Sequence, residues 1–167
     1  SYKVTAVKDY YDMDEKTFAS TNEANLELAL NLDLGSSEFV YVRGKLMIKI
    51  NPIYFDLDKS YIRPDAELEL ERVVRIMQKY PELKINLGSH TDSRARDAYN
   101  WSLSTRRARS SKNWIVRQGI DPSRIKAEGF GETELVNKCS NGVNCSEDDH
   151  QLNRRTEFVI VNPEVIK

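Results

Sequence analysis

Two amphipathic helical stretches alternate with short strand-like runs through the middle of this 167-residue chain, and that alternation restricts it to an α/β arrangement. Pro64 opens the first helix, where its missing N–H costs nothing, and Asp65, Glu67 and Glu69 favour the positive end of the helix dipole. Ala66, Leu70, Val73, Met77 and Tyr80 recur at helical spacing until Pro81 stops the run. Leu83, Ile85 and Leu87 mark the inward face of a strand. A second helix is expected over residues 97–118, with Gly119 as its stop. Residues 45–55 read as a strand interrupted by Asn51-Pro52, and residues 125–130 and 156–161 supply two more. The order β-α-β-α-β-β predicts a two-layer sandwich, a mixed sheet with both main helices on one face.

The N-terminal part is β-rich in pattern. Residues 2–8 alternate like a strand, residues 9–23 are polar and acidic, and residues 25–34 carry leucine at alternate positions. Two readings stand for it: the tail of a preceding β-rich domain, or an added edge hairpin. The chain begins at Ser1 without Met and reads as part of something longer, so any membrane attachment is expected in portions of the parent that lie outside it. No apolar run approaches the roughly 20 residues that span a bilayer. A net charge of −1 gives no global field to recruit nucleic acid or an anionic membrane. Locally, nine basic residues stand against two acidic ones between Arg94 and Lys126, which reads as a solvated helix face balanced by acidic segments elsewhere.

The second helix carries the chemical signal. At about 100° per residue, Leu103, Ala108, Ser111, Trp114 and Ile115 share one arc, and Arg107 and Asn100 fall inside it. A half-buried arginine is costly unless something negative pairs with it. Asp92 sits in the polar loop between the preceding strand and this helix. Two readings stand: Arg107 braces the fold against an internal carboxylate such as Asp92 or Asp56, or the pair opens to receive a zwitterion such as the ammonium and carboxylate of an amino acid.

Cys139 and Cys145 lie six positions apart around an Asn141-Gly142 turn, which lets the thiols meet. A disulfide is favoured, implying an oxidising compartment. The metal alternative would need two further ligands. His90 and His150 are the sole histidines and suggest no tetrahedral set, so no metal and no cofactor are expected.

Several motifs, in consistent order over residues 46–162, resemble the OmpA-like peptidoglycan-binding domain. They are Ile53-Tyr54-Phe55-Asp56-Leu57-Asp58-Lys59-Ser60, Ile62-Arg63-Pro64, His90-Thr91-Asp92, Tyr99-Asn100, Leu103-Ser104, Arg106-Arg107-Ala108, Gly119-Ile120, Gly129-Phe130-Gly131-Glu132 and Asn153-Arg154-Arg155. The resemblance divides the chain into an extension at 1–43 and an OmpA-like domain at 44–167. It implies non-covalent binding of peptidoglycan through the diaminopimelate of the stem peptide, anchoring a Gram-negative outer membrane to the wall from the periplasm. The family's aspartate and arginine fall on Asp92 and Arg107. Asp92 would accept from the ammonium and Arg107 would grip the carboxylate through parallel bonds. Asn100 can donate and accept, while Thr91, Phe55 and Asp56 would line the pocket. Asn153-Arg154-Arg155, just before the last strand, permits contacts to glycan or to the acidic residues 147–149, and a structural ion pair is the expected role. The loop 93–98 departs from the simplest family pattern, and residues 134–151 read as an inserted loop flanking the pocket.

Rival classes remain. Ser89, His90 and Asp92 are triad types, but alternate residues of one strand point to opposite faces, so no enzyme is expected. A module docking other envelope proteins through the basic helix face or the cysteine loop is compatible with wall binding. Nucleic-acid binding is disfavoured, because the basic helix lacks interleaved aromatics for base stacking.

Overall fold

The computed structural model describes residues 2–6, 14–18, 38–56 and 58–166, in two compact units, Ser1–Lys49 and Ile50–Lys167. In the first unit β1 (Tyr2–Ala6) pairs antiparallel with β2 (Asp14–Phe18). β3 (Phe39–Val42) and β4 (Lys45–Ile48) form a hairpin. Its two-residue turn places Arg43 and Gly44 at φ 48° and 73°, matching the twist of the strands it joins. The leucine run at 25–34 lies outside the described residues. The strand expected over 45–55 ends at Ile48, and residues 49–56 run without regular structure up to the site. Pro52 has no N–H for a sheet ladder.

The second unit holds α1 (Pro64–Lys79), β5 (Ile85–His90), α2 (Asp97–Arg117), β6 (Ile125–Gly131), α3 (Glu147–Asn153) and β7 (Thr156–Ile160). β5 runs parallel to β6 on one side and antiparallel to β7 on the other, which makes the sheet mixed. α2 packs on β5 and β6, and α1 lies against α2. Leu70, Val73 and Met77 from α1 are fully buried, as are Ile85, Ile115 and Phe158. Arg124 closes the end of α1: its Nη2 donates to the carbonyls of Met77 (2.7 Å) and Tyr80 (2.9 Å), and its Nε to Leu83 (2.9 Å). Carbonyls that the helix leaves unpaired are thereby satisfied.

α3 is an element the pattern did not announce, since residues 134–151 read as a loop. Seven residues are too few for a periodic signal, but the local chemistry is there. Ser146 accepts from the Asp149 N–H and the Asp149 carboxylate accepts back from Ser146, a reciprocal cap. The Cys139–Cys145 disulfide is formed just before it. Closing so short a ring contributes about 2 kcal/mol by the loop-entropy relation.

Gly129 sets how closely β6 approaches α2. A Cβ there would stand 2.2 Å from the Thr105 backbone nitrogen and 2.6 Å from Ser104 Oγ. The Thr105 backbone cannot yield without moving the helix. Gly129→Ala should therefore lower stability by about 3 kcal/mol, the upper part of the range for overpacked cores, measured as the urea midpoint at constant slope. A midpoint within error of the parent would show that α2 is free to shift.

Candidate functional site

The end of β5, the loop after it and the buried face of α2 deliver the site residues. β5 runs out at His90, which is buried, stacks on Phe130 at 5.0 Å between centroids and lies 3.8 Å from Glu157. The next residue is pinned by its backbone, with Thr91 N donating to Gly131 O at 2.8 Å. That brings Asp92 to the head of the loop as a nearly buried carboxylate, 8% exposed. α2 then presents Asn100 and Arg107 from its buried face, as the helical arc requires.

Asp92 does not pair with Arg107. Its Oδ2 accepts from Arg94 Nη2 (2.8 Å), Arg94 Nε (3.2 Å) and Arg154 Nη1 (2.6 Å), whereas Oδ1 accepts from the Arg94 backbone N–H at 3.2 Å. Burial pushes the Asp92 carboxyl up, but the hydrogen bonds from Arg94 and Arg154 outweigh it and hold it at about 2. Both arginines continue to Glu147 at the start of α3, Arg94 Nη1 at 2.7 Å and Arg154 Nη2 at 2.5 Å. Two guanidinium groups and two carboxylates thus close a ring across the site. The expected ion pair of Arg154 with residue 147 is present, and Asp92 is its second partner.

Arg107, 8% exposed, is held differently. Its Nε donates to the Lys59 carbonyl at 3.0 Å, its Nη2 to the Asp56 carbonyl at 3.3 Å, and the guanidinium lies 4.9 Å from the centre of the Phe55 ring. Among the described residues no carboxylate comes within ion-pair distance of it. The bracing reading, in which Arg107 pairs with the carboxylate of Asp92 or Asp56, is therefore corrected. Asp56 gives its carboxylate to Arg63 at 2.8 Å and to the Tyr61 hydroxyl. Burial pushes the Arg107 guanidinium below its usual range.

Phe55, Thr91, Asp92, Asn100 and Arg107 line one cleft of about 530 Å³; Asp56 contributes its carbonyl behind Arg107. Asn100 Nδ2 donates to the carbonyls of Asp92 (3.0 Å) and Ala95 (3.3 Å) and to the Glu132 carboxylate, tying loop, helix and β6 together. Thr91 Oγ1 is buried with no partner among the described residues. Arg94, Arg154 and Glu147 also face this cleft; the resemblance offers Arg94 and Arg154 as contacts to glycan rather than to the stem peptide. Asn153-Arg154-Arg155 was legible as a motif, but nothing in its spacing shows that Arg154 reaches a carboxylate 62 positions earlier. Cys139, Cys145 and Asp149 cluster closely enough to hold a metal, yet both sulfurs are spent in the disulfide and offer no thiolate.

The family model described as the OmpA family matches residues 54–148. The chain is 39% identical over 119 residues to the photosystem I P700 chlorophyll a apoprotein A2 of Gloeobacter violaceus, covering 70% of this chain and 14% of that protein. It is 38% identical over 116 residues to outer membrane porin F of Pseudomonas fluorescens, covering 70% of this chain and 32% of that protein. It is 33% identical over 87 residues to the peptidoglycan-associated lipoprotein of Brucella melitensis, covering 52% of each. In structure it is similar to the peptidoglycan-associated lipoprotein from Burkholderia pseudomallei, with a TM-score of 0.59 at 22% identity, over 68% of this chain and 91% of that one. The chain thus spans about half or less of the length of these curated relatives.

The Asp92 environment sets a pH dependence. Its native value, about 2, lies below its ordinary 3.8, so the group contributes stability that is complete above 3.8 and lost as pH falls through about 2. Asp92→Asn should flatten the decline in urea stability across that window. An unchanged slope would assign the decline to other carboxylates.

Proposed function

The chain belongs to the OmpA family, and on that premise we propose that it binds peptidoglycan non-covalently, through the free ammonium and carboxylate of diaminopimelate in the stem peptide. The observation that carries this reading is the Arg107 guanidinium, buried in a cleft with no carboxylate partner among the described residues and with Asp92 lining the same cleft. A cation so placed offers an incoming carboxylate charge-assisted bonds in a medium where they are strong. Phe55 backs its face and the Asp56 and Lys59 carbonyls fix its orientation, so little order is lost on binding.

The ligand ammonium goes to Asp92. Oδ2 is saturated by the two arginines, but Oδ1 accepts one backbone N–H and retains a free lone pair. Asn100 Oδ1 and the unpartnered Thr91 hydroxyl complete the polar lining. The name of the lipoprotein relatives, peptidoglycan-associated, accords with the polymer as ligand. In this reading residues 44–167 form the wall-binding domain, and it acts in the periplasm as a non-enzymatic anchor of the outer membrane.

Calorimetric titration of a diaminopimelate stem peptide tests the assignment, with a lysine-type peptide as control. The intact protein should bind the first and not the second. Asp92→Ala should cost roughly 10- to 100-fold in affinity, from charge-assisted bonds of about 1.5–3 kcal/mol each. Arg107→Lys keeps the charge but not the two-pronged geometry and should also lose at least about tenfold. Circular dichroism checks that each variant is folded. Equal affinity for both peptides, or unchanged binding by folded Asp92→Ala, would remove diaminopimelate as the ligand.

A further inference from the structure

Beside the main cleft lies a second cavity of about 410 Å³ that the diaminopimelate site does not use. Ser140, Asn141, Gly142, Asn144, Cys145 and His150 line it, so its wall is the disulfide-closed loop and the start of α3. Arg94 and Glu147 face both cavities and form the partition between them. We propose that this cavity is a second subsite for the neutral amino-sugar strand of the wall polymer, a proposal that rests on the peptidoglycan reading above.

The two cavities differ in chemistry. The main cleft sets Arg94, Arg107, Arg154 and Arg155 against Asp58, Asp92 and Glu147, a lining for ionic groups. In the second, Arg94 and Glu147 neutralise each other at 2.7 Å, and the rest of the lining is uncharged hydroxyl, carboxamide and backbone groups, with the His150 ring, Val143 and the disulfide beside them. Such groups both donate and accept, which matches sugar hydroxyls and acetamido groups and selects no charge. Peptidoglycan divides in the same way, into a charged peptide and an amino-sugar strand joined to it. A ligand with its peptide end on Asp92 and Arg107 would have to pass the Arg94–Glu147 partition to reach the loop.

Two features mark the cavity as more than a surface dent. His150, 7% exposed, lines it, and its Nδ1 is buried without a partner among the described residues. The loop is also fixed in advance. The disulfide closes it, Val143 N donates to Ser140 O at 3.1 Å, and Asn141 Nδ2 donates to Glu132 Oε1 at 2.8 Å. A loop already ordered loses little conformational freedom when it binds.

Calorimetry on the full chain with the stem tetrapeptide and with the disaccharide-tetrapeptide decides the matter. The disaccharide form should bind about tenfold more tightly, a difference of about 1.4 kcal/mol. The double variant Ser140→Ala, Asn144→Ala should erase that gain and leave tetrapeptide affinity unchanged. Equal affinity of the intact protein for the two ligands overturns the subsite. Absence of binding by either ligand overturns the diaminopimelate reading instead. The N-acetylglucosamine disaccharide, followed by amide chemical shifts, then tests the loop by itself. Shifts concentrated at residues 140–145 uphold the subsite, and their absence at millimolar sugar overturns it.

Discussion

The site is organised around a buried cation, Arg107, that no side chain among the described residues neutralises. Taking a guanidinium out of water costs several kcal/mol unless an anion or good hydrogen bonds replace the lost hydration. Arg107 recovers part of that from the Asp56 and Lys59 carbonyls and from the Phe55 face. None of these carries a full negative charge, so an arriving carboxylate gains more here than it would at an arginine already paired. Asp56 and the loop before α1 are tied to the same group, because the Asp56 and Lys59 carbonyls are its partners. Under the proposed function, bracing through Nε and Nη2 and capture of a ligand are two uses of one guanidinium.

Asp92 obeys the opposite arrangement. It is buried and over-supplied with cations, which keeps it ionised far below neutral pH and holds its loop against α3. The ring through Glu147 explains how a seven-residue helix after a disulfide can matter to a loop more than 50 positions earlier. A second tie runs beside it: Ser93 Oγ donates to the Cys139 carbonyl at 2.5 Å. A third passes from Asn141 to Glu132 and on to Asn100. The segment 134–151 is thus coupled to the cleft by three short hydrogen-bonded paths, and burial of Ser93 and Cys139 keeps water from competing with one of them.

Much of the second unit was legible in the residues. Pro64, Pro81 and Gly119 bracket the helices, and alternation at Leu83, Ile85 and Leu87 marks the central strand. These are local signals, set by backbone geometry and by the periods of helix and strand, and they suffice for the α/β order. The helical arc also placed Asn100 and Arg107 on the buried face, because a polar residue at an apolar position shows in the period itself. The matching motifs carried Asp92 and the family. What the chain alone could not decide was which charges meet. Arg107 faces carbonyls, Asp92 faces Arg94 and Arg154, and α3 stands where a loop was read. Pairings across 48 to 62 positions depend on where the sheet and α2 bring chain ends together, and the energy separating one arginine from another at a carboxylate lies in burial and distance. Sequence determined the main elements and the residue types on their faces, while the tertiary structure alone decided which buried charge meets an opposite charge and which, among the described residues, does not.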